Sequence, residues 1–117
     1  YLGMQTDIKS YLSISSIYVH PSYREGLSNS LMEACSMELP CVVSSIPGNK
    51  ELIAHNKNGL IAELGNPISF ANEIKKIIND PILSKKIGSN ARKNIVEKYD
   101  QKIVWKNLRL FYEKLLR

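Results

Sequence analysis

The chain has 117 residues, 44% of them apolar and 23% charged, with six Gly, five Pro and two Cys. That is the composition of one ordinary globular domain, and it excludes a collagen, a disordered tail and a disulfide scaffold. The net charge of +5 is unevenly placed: residues 1–80 carry six Lys/Arg against eight Asp/Glu, residues 81–117 ten against three.

Tyr1-Leu2-Gly3 reads as the end of a strand. Residues 7–15 (DIKSYLSIS) place Ile8, Tyr11 and Leu12 at helical spacing, and Ile17-Tyr18-Val19-His20 is a β-rich run stopped by Pro21. Residues 29–38 read as a helix with Leu31, Met32, Cys35 and Met37 near one face, and Cys41-Val42-Val43-Ser44 as a buried strand. Pro47-Gly48 is a turn, residues 50–54 one helical turn, and Asn58-Gly59 a turn into strand Leu60-Ile61. Asn66-Pro67, Asp80-Pro81 and Asp100 then announce three helices, each with an N-cap and the first two with Pro at the first helical position. Their stripes are Phe70/Ile74/Ile77/Ile78, Ile87/Ala91/Ile95 and Val104/Leu108/Phe111/Leu115.

Short apolar strands alternating with helices predict an α/β fold: a Rossmann-like parallel sheet with helices on both faces. Three or four short strands make a small sheet, and its first strand reads as cut, so the chain is expected to be part of a larger protein. Cys35 and Cys41 sit in apolar company (ACSMELPCVV) and are expected as reduced core residues. With two well-separated His they do not suggest zinc. No apolar run approaches the ~20 residues of a membrane span, and the opening residues do not read as a signal peptide. The basic last third suits an anionic surface or a solvated helix face. Nucleic acid fits it poorly, because Trp105, Phe111 and Tyr112 recur at core-facing spacing rather than as a stacking surface.

Ligands of such sheets bind where strands end and helices begin. The segment leaving Ile17–His20 is PSYREGLSNSLMEA, with carboxylates at Glu25 and Glu33. Gly26 permits close backbone approach and Ser28 caps the helix that carries Glu33. The amides of Ser28, Asn29 and Ser30 then point free N–H groups and partial positive charge at an anion. Glu33, tilted back toward the N-terminus, can reach a group attached to that anion. Carboxylate, phosphate seat and second carboxylate in line suit a sugar–diphosphate–ribose molecule. His20 ends a strand beside this segment and is read first as a structural imidazole, second as a donor contact. Arg24 is either a phosphate partner or a surface residue, His55 an exposed turn residue, and Glu51 a helix-start charge supporting the adjacent loop.

The pieces VHPSYREGLSNSLMEA, ELPCVVSS, PGNKELI and NGLIAEL together resemble the C-terminal nucleotide-sugar-binding domain of retaining GT-B glycosyltransferases of the glycosyl-transferase-group-1 family. The likeness runs from residue 2 to about residue 99, leaving 100–117 as a C-terminal helix that crosses back to an N-terminal acceptor domain in the family. A Glu pair eight apart is weak evidence alone; with Pro-Ser and Glu-Gly before the second Glu and Leu-Pro-x-Val after it, the signal is strong.

The resemblance implies that Glu25 lies beside the donor sugar as the catalytic carboxylate. It implies that Gly26, Leu27, Ser28, Asn29 and Ser30 hold sugar and phosphate, and that Glu33 binds the ribose hydroxyls. Gly3 and Met4 would border the base, with His20 and Arg24 accessory. It implies a nucleoside-diphosphate sugar as donor, no metal and no other cofactor, and transfer to a glycan, lipid or other hydroxyl. The family's diphosphate-binding Arg and Lys would lie upstream, so the chain alone is expected to be inactive. Asn66 stands where the family often has Asp, one good cap for another. The resemblance also implies a cytoplasmic location, peripheral at the inner membrane face. The ten Lys/Arg against three Asp/Glu of residues 81–117 suit weak binding to anionic lipid, and the apolar stripe of the last helix is expected to be partly exposed or to pack on a second copy. The alternatives are a nucleotide-sugar epimerase of the same fold, which would be expected to bring extra carboxylates and a basic loop, and a non-catalytic α/β interaction module.

Overall fold

The computed structural model describes residues 1–116. Its elements run α1 (Ile8–Ile14), β1 (Tyr18–His20), α2 (Asn29–Ser36), β2 (Cys41–Ser44), α3 (Pro47–Leu52), β3 (Leu60–Ala62), α4 (Pro67–Asn79), α5 (Pro81–Tyr99) and α6 (Gln101–Leu115). The three strands form one parallel sheet in the order β1-β2-β3, with Val42 opposite both Val19 and Leu60. β2 is covered on both faces and all four of its residues are buried, so its apolar run needs no alternation.

The period of two along each strand divides the core into two layers. Cys41 and Val43 face Leu12 of α1, Leu31, Ala34 and Cys35 of α2, and Ala91 of α5. Val42, Leu60 and Ala62 face Ile77 of α4 and Ile87 of α5. Helices therefore lie on both faces of the sheet. Cys35 and Cys41 are free and buried, with their sulfurs 3.8 Å apart. Hydrogen bonding to Cys35 and then burial push the Cys41 thiol well above its ordinary value, so it behaves as core, not as a nucleophile.

The cap residues act as their types dictate. Asn66 Oδ1 accepts from the amides of Ile68 and Ser69, Asp80 Oδ1 from Leu83 and Asp100 Oδ1 from Lys102. At the other end of α2, Glu38 takes a left-handed φ of 61°. The amide of Glu38 bonds the Cys35 carbonyl and that of Leu39 the Ala34 carbonyl, closing the helix in a Schellman turn that glycine ordinarily provides. Glu38→Gly should remove roughly 1 kcal/mol of backbone strain. Its exposed pairing with Arg92, 3.8 Å away, contributes little. Thermal unfolding should show a Tm several degrees higher; an unchanged or lower Tm would mean that the turn carries no strain.

The structure departs from the sequence reading at several places. Residues 1–7 contain no strand: Gly3 turns at φ +67°, and Leu2 and Met4 are exposed. α3 begins at Pro47, three residues earlier than expected, because Pro47 presets the first helical φ. Ile78, one residue past the buried Ile77, faces solvent. In α6 the stripe is exposed, one of the two outcomes expected of it. Val104, Trp105, Leu108, Phe111, Tyr112 and Leu115 are all exposed. The helix packs mainly on α5, and among the described residues only its Ile103 is partly covered. Core-facing spacing is present in α6, but nothing in the described structure packs on that stripe. No described helix is long and apolar enough to cross a membrane.

Candidate functional site

The carboxyl ends of β1 and β2 deliver two loops, 21–28 and 45–46, to the same edge of the sheet. The first turns into α2, where Ser28 Oγ caps by accepting from the Leu31 amide at 3.3 Å and the Ser28 carbonyl accepts from Met32. Asn29 and Ser30 then supply the amides that an α-helix leaves without intrahelical partners at its start. Their N–H groups and the positive end of the helix dipole point out of the sheet edge.

The loop is held from beneath. Ser44 Oγ donates to the Ser22 carbonyl, and the buried Asn49 donates through Nδ2 to the Ser44 carbonyl (3.0 Å) and hydroxyl (3.1 Å). Gly48, in the first turn of α3, sits directly against the Glu25 and Gly26 carbonyls, and a Cβ there would overlap both oxygens. Close backbone approach was expected at Gly26. Open space surrounds the position of a Cβ on Gly26, which leaves its backbone approachable, and a close approach within the protein falls at Gly48.

Glu25 lies on the β1 side of the α2 start. Its Oε1 accepts from Ser22 Oγ at 3.2 Å and lies 3.4 Å from His20 Nε2. His20 is a half-buried residue fixed by stacking on Tyr18, the ring centroids 5.8 Å apart. Burial pushes the Tyr18 hydroxyl up, a side-chain hydrogen bond with Ser30 pulls it partly back, and Cys41, Glu25 and Glu33 add to the rise. Tyr18 is thus a protonated donor near both carboxylates.

Glu33 opens into a separate cleft of about 490 Å³, which it lines with Thr6, Asp7, Lys9, Ser36 and Arg92 among others. Asp7 caps α1 through the Ser10 amide, and Arg92 donates to the Ser36 carbonyl, so the walls of the cleft are tied to helix ends. Gly3 and Met4 lie just before the residues that line it, which begin at Thr6. Leu27 is exposed, and Arg24 is exposed and makes no ion pair among the described residues. His55 is exposed as expected, and its Nδ1 accepts from the Ile61 amide. Glu51 is exposed on α3.

Sequence reasoning missed Tyr18, Ser22, Ser44 and Asn49. The available signal was polar residues in or beside apolar strands: a Tyr-x-His-x-Ser alternation leaving β1, and a Ser closing β2.

The sequence matches the glycosyl transferases group 1 family over residues 1–94. The chain belongs to that family. It is 31% identical over 112 residues to the capsular polysaccharide biosynthesis glycosyltransferase CapM of Staphylococcus aureus, covering 96% of this chain and 30% of CapM. Its fold matches HepE from Anabaena, solved with UDP-glucose, at TM-score 0.86 and 26% identity over 99% of this chain and 32% of that one. It also matches TarM from S. aureus, solved with fondaparinux, α-GlcNAc-glycerol and UDP, at TM-score 0.83 and 35% identity over 94% of this chain and 23% of that one. The chain therefore spans a third or less of the length of these proteins. It has the Rossmann-like architecture of part of a GT-B fold.

Proposed function

We propose that this chain is the donor-binding part of a retaining glycosyltransferase that moves a sugar from a nucleoside diphosphate to a hydroxyl acceptor. The observation that carries the reading is the capped α2 start at the carboxyl end of a parallel sheet, with Glu25 on one side and Glu33 in a cleft on the other. HepE and TarM, solved with UDP-glucose and UDP respectively, support the ligand class.

In this reading the Asn29 and Ser30 amides take the diphosphate, whose negative charge the helix start favours. Glu33 accepts both ribose hydroxyls, and charge-assisted acceptance makes that contact strong. Glu25, with Gly26 and Leu27, faces the sugar, where its negative charge stabilises the cationic character that develops as the glycosidic C–O bond breaks. The donor is taken without a metal. Cations for the leaving diphosphate and the acceptor site come from the rest of the enzyme, which also covers the exposed apolar face of α6. The ten Lys/Arg of residues 81–117, against three Asp/Glu, then attract an anionic membrane surface.

Calorimetry of the 117-residue chain against UDP, GDP, ADP and their sugars, with EDTA present, should show binding of at least one nucleotide. Incubation with acceptors should show no transfer, because catalysis needs the second domain to orient the acceptor. The complete enzyme should give a product with the anomeric configuration of the donor. Absence of nucleotide binding would refute the donor site, and an inverted product would refute retention. Release of an epimerised free sugar would favour an epimerase instead.

A further inference from the structure

We propose that His20 is a positioning residue: together with Tyr18 and Ser22 it forms a one-way hydrogen-bond chain that holds the Glu25 carboxylate in place at the donor sugar. The inference rests on the reading that assigns Glu25 to that sugar, and it adds residues that touch no part of the donor.

The direction of the chain follows from counting protons. Ser22 Oγ lies 3.2 Å from Glu25 Oε1, and an ionised carboxylate only accepts, so the single hydroxyl proton goes to Glu25. The same Oγ lies 3.0 Å from His20 Nε2. With its proton already committed, Ser22 must accept there, so Nε2 carries a hydrogen. A neutral imidazole then has a bare Nδ1, and this atom lies 3.4 Å from the Tyr18 hydroxyl, which donates. Nε2–H also faces Glu25 Oε1 directly at 3.4 Å. Every donor in the series therefore points toward Glu25.

The parts are rigid enough to act as a support. Only 12% of the His20 side chain is exposed, against 35% for Glu25. The ring stacks on Tyr18 at an interplanar angle of 20°. Ser22 is anchored through its carbonyl by Ser44, which in turn is held by the buried Asn49. A carboxylate on an exposed loop would otherwise sample several rotamers, and a catalytic group loses much of its effect when its position is loose.

The test has two independent readouts. Long-range ¹⁵N–¹H spectra of the 117-residue chain should show His20 as the Nε2–H tautomer, and the preference should weaken in Tyr18→Phe. In the complete enzyme, His20→Ala should lower kcat about tenfold, the order of a lost charge-assisted hydrogen bond, with donor KM changed less than twofold. His20→Gln, whose amide can present N–H near the Nε2 position, should recover most of the loss. In a Glu25→Ala background, His20→Ala should cost nothing further, since nothing remains to position.

An Nδ1–H tautomer would overturn the chain while leaving the donor reading intact. So would an equal His20→Ala loss in both backgrounds, or a loss confined to KM, which would make His20 a direct donor contact. If Glu25→Ala itself leaves kcat unchanged, the assignment of Glu25 fails and the positioning role falls with it.

Discussion

Replacing Gly48 by alanine is expected to abolish donor binding and to destabilise the chain. The added methyl would lie on top of the Glu25 and Gly26 carbonyl oxygens, which are backbone atoms that cannot rotate aside. Either α3 or the Glu25 loop must move. α3 is tied down by Leu52 and Ile53 in the core and by Asn49 on Ser44, so the loop gives way. Overpacking of this kind costs roughly 1–3 kcal/mol, and the displaced loop takes Glu25 and the α2 start out of register with one another. Urea unfolding should show a lower midpoint, and titration with the preferred nucleoside diphosphate should show little or no binding. Retained affinity in a folded Gly48→Ala protein would mean that the loop tolerates displacement and that its geometry does not set the site.

Glu33→Ala and Glu25→Ala should fail in different ways. Glu33 is exposed on α2 and projects into the cleft, so its loss should scarcely affect folding. Losing charge-assisted hydrogen bonds to the ribose costs roughly 1.5–3 kcal/mol, about ten- to a hundredfold in donor affinity, readable by calorimetry. Glu25 makes its strongest contact only as the sugar gains positive character, so Glu25→Ala should appear in kcat more than in KM. Unchanged donor affinity in Glu33→Ala would refute the ribose role, and a Glu25→Ala loss confined to KM would refute the sugar-side role.

The site was legible where chemistry lies close together along the chain. Ser28 as cap, the free amides behind it and the two carboxylates all fall within nine residues, and a helix start fixes their relation without help from distant parts. It was not legible where distant segments meet. Thr6 and Asp7 reach the cleft beside Glu33 from the start of α1 and Arg92 from α5, and no local spacing announces a wall assembled from such distant parts of the sequence.

By itself the sequence determined the alternation of strands and helices, because burial on both faces demands apolar runs, and Asn66, Asp80 and Asp100 mark helix starts by satisfying amides within a turn. It also determined Glu25 and Glu33 as the candidate carboxylates. Tertiary structure alone decided which stripes are core. Ile87 and Ala91 are buried because α2 and the sheet lie against them, whereas Leu108 and Phe111 stay in solvent because nothing described packs on that face of α6. It decided too that Gly48 of α3 packs against the Glu25 and Gly26 carbonyls. Periodicity records only that a face is apolar and a residue polar. What meets that face or that residue is set by packing between elements far apart in sequence.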